Sequence, residues 1–117
     1  MKLQISDQQW RLRVSEDELQ RLRGGHALVS ASTLPGDAVL RFVLELVPTS
    51  QASVGRDGDS WKFSLPAASV DAYVERLPCR DGVDFVLPGG SDVALQLAFE
   101  VDVRDSVRRR GARPRRH

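Results

Sequence analysis

Trp10–Gly25 reads WRLRVSEDELQRLRGG, and this stretch decides how the rest of the chain is parsed. Trp10, Leu12 and Val14 alternate with Arg11 and Arg13, the period-2 pattern of a half-buried strand. Ser15 then suits a helix N-cap, and Glu18 three residues on completes a capping box. Val14 and Leu19 are spaced as a hydrophobic staple. Glu16, Asp17 and Glu18 fill the first turn and Arg21 and Arg23 the last, each matching the helix dipole. Gly24-Gly25 supplies a left-handed exit. The spacing predicts a strand running straight into a helix of about two and a half turns, held by packing because so short a helix is not stable alone.

Upstream, Leu3 and Ile5 alternate with Lys2, Gln4 and Ser6, so Met1–Gly25 predicts a hairpin and then a helix. Downstream, His26–Thr33 and Val39–Val47 predict strands around the turn Leu34-Pro35-Gly36-Asp37. The same order then recurs. Gln51–Arg56 and Trp61–Leu65 flank the hairpin signal Asp57-Gly58-Asp59. Pro66 opens a helix with Val70, Tyr73, Val74 and Leu77 on one stripe, and Pro78 stops it. Val83–Leu87 and Ser91–Val103 predict the last two strands around Pro88-Gly89-Gly90.

At an offset of 51, Trp10 falls on Trp61, Leu12 on Phe63, Val14 on Leu65, Leu19 on Val70 and Leu22 on Tyr73. At an offset of 53, with two extra residues near Arg80-Asp81, Leu34-Pro35-Gly36 falls on Leu87-Pro88-Gly89 and Leu40 to Leu46 on Val93 to Phe99. In this alignment the apolar frame recurs and the polar detail does not: Arg13 meets Ser64 and Glu18 meets Ser69. Two copies are too few for a solenoid. The expectation is an α+β domain over residues 1–103, with halves at about 1–50 and 51–103. Its two tandem ββαββ repeats would form one pseudo-symmetric, largely antiparallel sheet, twisted or rolled, with two short helices. Residues 104–117 form an Arg-rich tail.

The residues "MKLQI…QWRLRVSEDELQRL", the LPG turn and the strand "LRFVLEL" resemble an uncharacterised family of short bacterial proteins. Its members open with a basic strand pair and a Ser/Thr-Glu-x-x-x-Leu helix. The resemblance covers Met1 to about Asp102. The family's Glu-Lys-Asp-Phe-like closing strand here reads Glu100-Val101-Asp102-Val103, without the lysine, and the Arg-rich tail is a further departure. The resemblance implies no activity and carries over no functional residue.

At 117 residues and 41% apolar composition, the chain suits one globular domain. The start, MKLQISDQQW, lacks the apolar run of a signal peptide, and no stretch approaches the roughly 20 apolar residues of a membrane span. Cys79 is the single cysteine, which excludes an internal disulfide and a cysteine-cluster zinc site. A cytoplasmic setting is expected. The net charge of +1 hides a tail of +6, seven arginines against Asp105, on a body of −5.

Catalytic and metal constellations are not found, and no cofactor is implied. His26 follows a helix end, but the second half has Leu77 there and no other body histidine could partner it. Asp57-Gly58-Asp59 begins like a calcium loop, yet the twelfth position is Ala68, not the Glu that such a loop needs. Trp10 and Trp61, in register with inward-facing residues, read as core or rim packing rather than stacking platforms. Cys79 beside Arg80 reads as a small filler.

Three functional readings remain. The leading one is a small interaction module that self-associates through a sheet face or edge, with an enzyme as the competing class. The second gathers Arg11, Arg13, Arg41, Glu45, Lys62 and Glu100 on one charged sheet face. Were the sheet closed with that face inward, the lumen would resemble the triphosphate tunnel metalloenzymes, which hold phosphate chains with basic groups and a metal with carboxylates. The Glu-x-Glu-x-Lys first strand of those enzymes is missing, since this strand reads Lys2-Leu3-Gln4-Ile5-Ser6. The third is non-specific nucleic-acid association through Arg108, Arg109, Arg110, Arg113, Arg115 and Arg116.

Overall fold

A computed structural model describes residues 1–77, 81–88 and 93–102. The tail, Cys79, Pro78 and the Gly89-Gly90 part of the last turn lie outside these residues. The element order is β1 (Lys2–Ser6), β2 (Gln9–Ser15), α1 (Glu16–Arg23), β3 (Leu28–Thr33), β4 (Val39–Val47), β5 (Ser53–Asp57), β6 (Ser60–Pro66), α2 (Ala67–Val74), β7 (Val83–Leu87) and β8 (Leu95–Asp102). Each half thus reads strand–strand–helix–strand–strand, as the alternation and caps predict.

The expected single sheet is corrected. There are two four-stranded sheets, ordered β1-β2-β8-β7 and β3-β4-β6-β5. Each is mixed: its outer pairs are antiparallel, and its central pair, β2·β8 or β4·β6, is parallel. Neither sheet closes, because each ends on two edge strands, β1 and β7 in one and β3 and β5 in the other. The reason lies in the helices. Each half places a hairpin in one sheet, crosses through its helix, and places its second hairpin in the other. Each sheet therefore contains one hairpin from each half.

Register fixes the repeat. Trp10 pairs with Leu97, and Trp61 pairs with Phe42, so Phe42 is the counterpart of Leu97, a separation of 55 rather than 53. The antiparallel pairs agree: Leu28 opposes Leu44 as Val83 opposes Phe99. So do the bonds that begin the parallel ladders, Gln96 N–H to the Gln8 carbonyl at 2.8 Å and Arg41 N–H to the Asp59 carbonyl at 3.1 Å. The first hairpins and the helices keep the separation of 51, as the sequence predicts. The second half therefore carries four extra residues between α2 and β7, where the sequence alignment placed two.

The inner faces of both sheets and one side of each helix form a single core. Leu12, Val14, Leu44, Phe63, Leu65, Leu97 and Phe99 are each at most 1% exposed. Burying such a side chain contributes on the order of 1.5–3 kcal/mol. Trp10 of one sheet meets Phe42 and Phe63 of the other at ring-centroid distances of 6.4 and 6.0 Å. From the helices come Leu19 and Leu22 in α1 and Val70 and Tyr73 in α2. These are the pairs that the offset of 51 aligns.

The predicted capping box of α1 is present: the Glu18 N–H donates to Ser15 Oγ at 3.1 Å, and the Ser15 N–H donates to Glu18 Oε1 at 2.9 Å. α2 has Pro66 at its N-cap, which makes no side-chain cap. It has its own anchor: Tyr73 lies edge-on to Phe99, and its hydroxyl accepts the Val101 N–H at 3.1 Å, beyond the last residue that β7 pairs. No helix among the described residues is long and apolar enough to cross a membrane.

Candidate functional site

The six residues of the expected charged face do not converge. Arg11, Arg13 and Glu100 stand on the outward face of the β1-β2-β8-β7 sheet, and Arg41, Glu45 and Lys62 on the outward face of the other. The core lies between the two sheets, so the described residues form no charged lumen. This removes the geometry on which the tunnel reading rests. Among the described residues, no three His, Cys, Asp or Glu side chains come together as a metal site would require.

The charges are organised pairwise. The parallel register puts Arg13 opposite Glu100 and Arg11 two positions back. Arg13 donates to Glu100 Oε1 through Nε at 3.3 Å and Nη2 at 3.0 Å, and Arg11 Nε lies 3.3 Å from Oε2. On the other sheet, Ser64 Oγ donates to Glu45 Oε2 at 3.1 Å and Lys62 Nζ lies 3.5 Å from Oε1. At separations of 51 and 55, Arg11 matches Lys62, Arg13 matches Ser64 and Glu100 matches Glu45. Part of the polar detail therefore does recur: in each sheet a glutamate bridges alternate residues of its parallel neighbour. Arg41 is held separately, its Nη1 2.7 Å from Asp59 Oδ1. These half-exposed pairs contribute up to about 1 kcal/mol each, and the guanidinium groups already have carboxylate partners.

Among the described residues, two of the shallow surface depressions lie near groups of interest. One, of about 420 Å³, crosses the outward face of the first sheet over Ala98, a small residue in the row Gln4–Arg11–Ala98–Asp84. The other, of about 480 Å³, lies between Leu46-Val47-Pro48 and the two helices, where Arg23 Nε meets Asp71 Oδ1 at 3.1 Å. Both are open, and neither gathers the acid–base pair that catalysis needs.

The tryptophans divide. Trp10 is half-buried, and its Nε1–H donates to the Asp7 carbonyl at 3.0 Å. Trp61 is 37% exposed, with the Arg56 guanidinium 5.6 Å from its ring centre. The rim reading suits both, and Arg56 occupies the Trp61 face that a base would need. His26 is exposed just after α1.

One surface was not picked out by sequence reasoning. β3, LVSAST, is the edge strand that carries no charged residue. The Leu34 N–H bonds to the Ala38 carbonyl, so by alternation Leu28, Ser30 and Ser32 bond to β4. Val29, Ala31 and Thr33 then turn their N–H and C=O groups to the open edge. Their side chains point away from the core, where Val29, 60% exposed, pairs with Val43. The available signal was the missing charge in an otherwise ordinary alternating strand.

No family model, curated protein or solved structure matches this chain.

Proposed function

We propose that this chain is a small interaction module that acts through its sheet surfaces and self-associates. The observation that carries this reading is the outward side of the β3–β4 hairpin. Val29 and Val43 sit side by side there, with Ala31, Thr33, Val39 and Val47 around them, and Arg41 and Glu45 are the charged residues on this side. Apolar, β-branched side chains gathered on a solvent face mark a contact surface when they adjoin an open edge. Analytical ultracentrifugation from low to high micromolar concentration tests it. A mass that rises to a defined oligomer is expected; a monomer across the range ends the reading.

Nucleic-acid association through Arg108 to Arg116 rests on charge alone and makes a separate prediction. Removing residues 104–117 should abolish retention on DNA or RNA at low salt. Unchanged retention would dismiss it. A phosphate ligand has weaker support, because Arg11, Arg13, Lys62 and Arg41 each already face a carboxylate of the chain.

A further inference from the structure

Resting on that reading of self-association, we propose its geometry: β3 pairs antiparallel with β3 of a second copy, with Ala31 on the two-fold axis, joining two four-stranded sheets into one of eight strands. The edge supplies the bonding groups. Val29, Ala31 and Thr33 each present an outward N–H and C=O. An antiparallel copy offers the same alternation, so the strand is complementary to itself.

The register follows from two conditions. Outward side chains must stay on one face, which requires odd residues to pair with odd ones. All three outward residues must also find strand partners. With Ala31 on the axis, Ala31 meets Ala31, and Val29 meets Thr33 at both ends. Centring on Ser30 pairs Val29 with Ala31 and pushes Thr33 against Ala27, outside the strand. Ala31 on the axis forms a hydrogen-bonded pair with itself, and its methyl group leaves room on the outward face for the two Val29–Thr33 pairs beside it.

The other edges explain why β3 is the one used. Its counterpart β7 places Asp84 where β3 has Val29, and is followed by Pro88, without an N–H, where β3 has Thr33. β1 carries Lys2, and β5 carries Gly55, Arg56 and Asp57. Charge, glycine and proline on an edge oppose strand addition.

The test uses the full chain. Ala31→Lys sets like charges against each other on the axis, and Ala31→Pro removes the outward N–H while leaving the bonds of Ser30 and Ser32 to β4. Each should weaken dimerisation at least about ten-fold with unchanged far-UV circular dichroism. Val86→Lys, at the equivalent position of β7, should leave it unchanged. In a Cys79→Ser background, Ala31→Cys should be joined across the two copies by a short bis-maleimide reagent, because the Cβ atoms of a hydrogen-bonded pair stand about 5.5 Å apart, beyond easy reach of a disulfide. Val29→Cys alone should not, whereas an equimolar mixture of Val29→Cys and Thr33→Cys should. An oligomer that persists in Ala31→Pro and fails to cross-link through Ala31→Cys overturns the β3 geometry and leaves self-association standing. A chain monomeric at every concentration overturns both. Should Ala31→Pro lose its fold, Ala31→Lys and the cross-linking series decide.

Discussion

The β3–β4 and β7–β8 hairpins occupy equivalent places in the two halves, yet they face their surroundings differently. Inside, Leu44 and Phe42 match Phe99 and Leu97. On the edge strands the roles reverse. β7 turns Phe85 and Leu87 into the core, at 8% and 1% exposure, where β3 has Ser30 and Ser32. β7 then shows Asp84 outward where β3 shows Val29. One edge strand is apolar within and carries Asp84 without; the other keeps Leu28 in the core, turns Ser30 and Ser32 inward, and is uncharged without. The repeated central strands hold the fold, and the edges are free to diverge, so a function specific to one half belongs on an edge.

Four measurements would break or sharpen this contrast. The largest effect concerns the shared interior. Phe99→Ala should cost about 3–5 kcal/mol and Leu44→Ala about 2–5 kcal/mol, read from urea denaturation. If one of the two were nearly neutral, the halves would not share a core. Next comes a position where the halves differ in backbone approach. A Cβ on Gly82 would lie 2.5 Å from the Phe99 carbonyl oxygen. Gly82→Ala should therefore cost about 1–3 kcal/mol. The equivalent residue in the first half is already Ala27, exposed ahead of β3. Equal melting temperatures for Gly82→Ala and the parent chain would refute that close approach.

The helix starts come third. Ser15→Ala should cost about 1 kcal/mol; Ser69→Glu, which copies Glu18 into α2, should gain almost nothing, because Pro66 offers neither hydroxyl nor N–H. Glu18 also brings a pH dependence. Burial pushes its carboxyl up, but hydrogen bonds from the Met1 ammonium and from Ser15, with the charge of that ammonium, outweigh burial and hold it below the ordinary range. A lowered carboxylate favours the fold above the ordinary glutamate pKa of about 4.3. That contribution is lost as pH falls through the lower folded value. Denaturation midpoints at pH 7 and pH 3 should thus draw closer together in Glu18→Gln than in the parent chain. The smallest effect is on the outward ion pairs: Glu100→Gln and Glu45→Gln should each change stability by less than about 1 kcal/mol, and a much larger loss from either would give that face a structural role.

Most elements were legible because their signals are local. The box of Ser15 and Glu18, the alternation around Trp10 and Trp61, and the hairpin turns depend only on neighbours. At Asp7 and Gly58, the first residues of those two turns, φ is positive at 51° and 62°, as a two-residue hairpin loop requires. Pairing was not legible, since alternation is the same whether strands share one sheet or two. The repeat was misaligned by two residues for a related reason: a slip of two keeps every side chain on its own face. The matching Leu-Pro-Gly triplets favoured the wrong choice. Leu34 lies in a turn, whereas Leu87 is inside a strand opposite Leu95. The alternation of the charged residues with apolar ones was legible, but only the two-sheet topology could show that they stand on two faces that point apart.

The parallel pairing of β2 with β8 has a consequence in time. During synthesis the β1–β2 hairpin cannot complete its sheet until the last described strand has been made, because Gln9 waits for Gln96 and Ser15 for Asp102. Contacts so distant along a chain slow folding. During synthesis β2 stands with an unpaired edge and an apolar face of Trp10, Leu12 and Val14. Cutting the chain at its midpoint should leave two pieces that must find each other to fold.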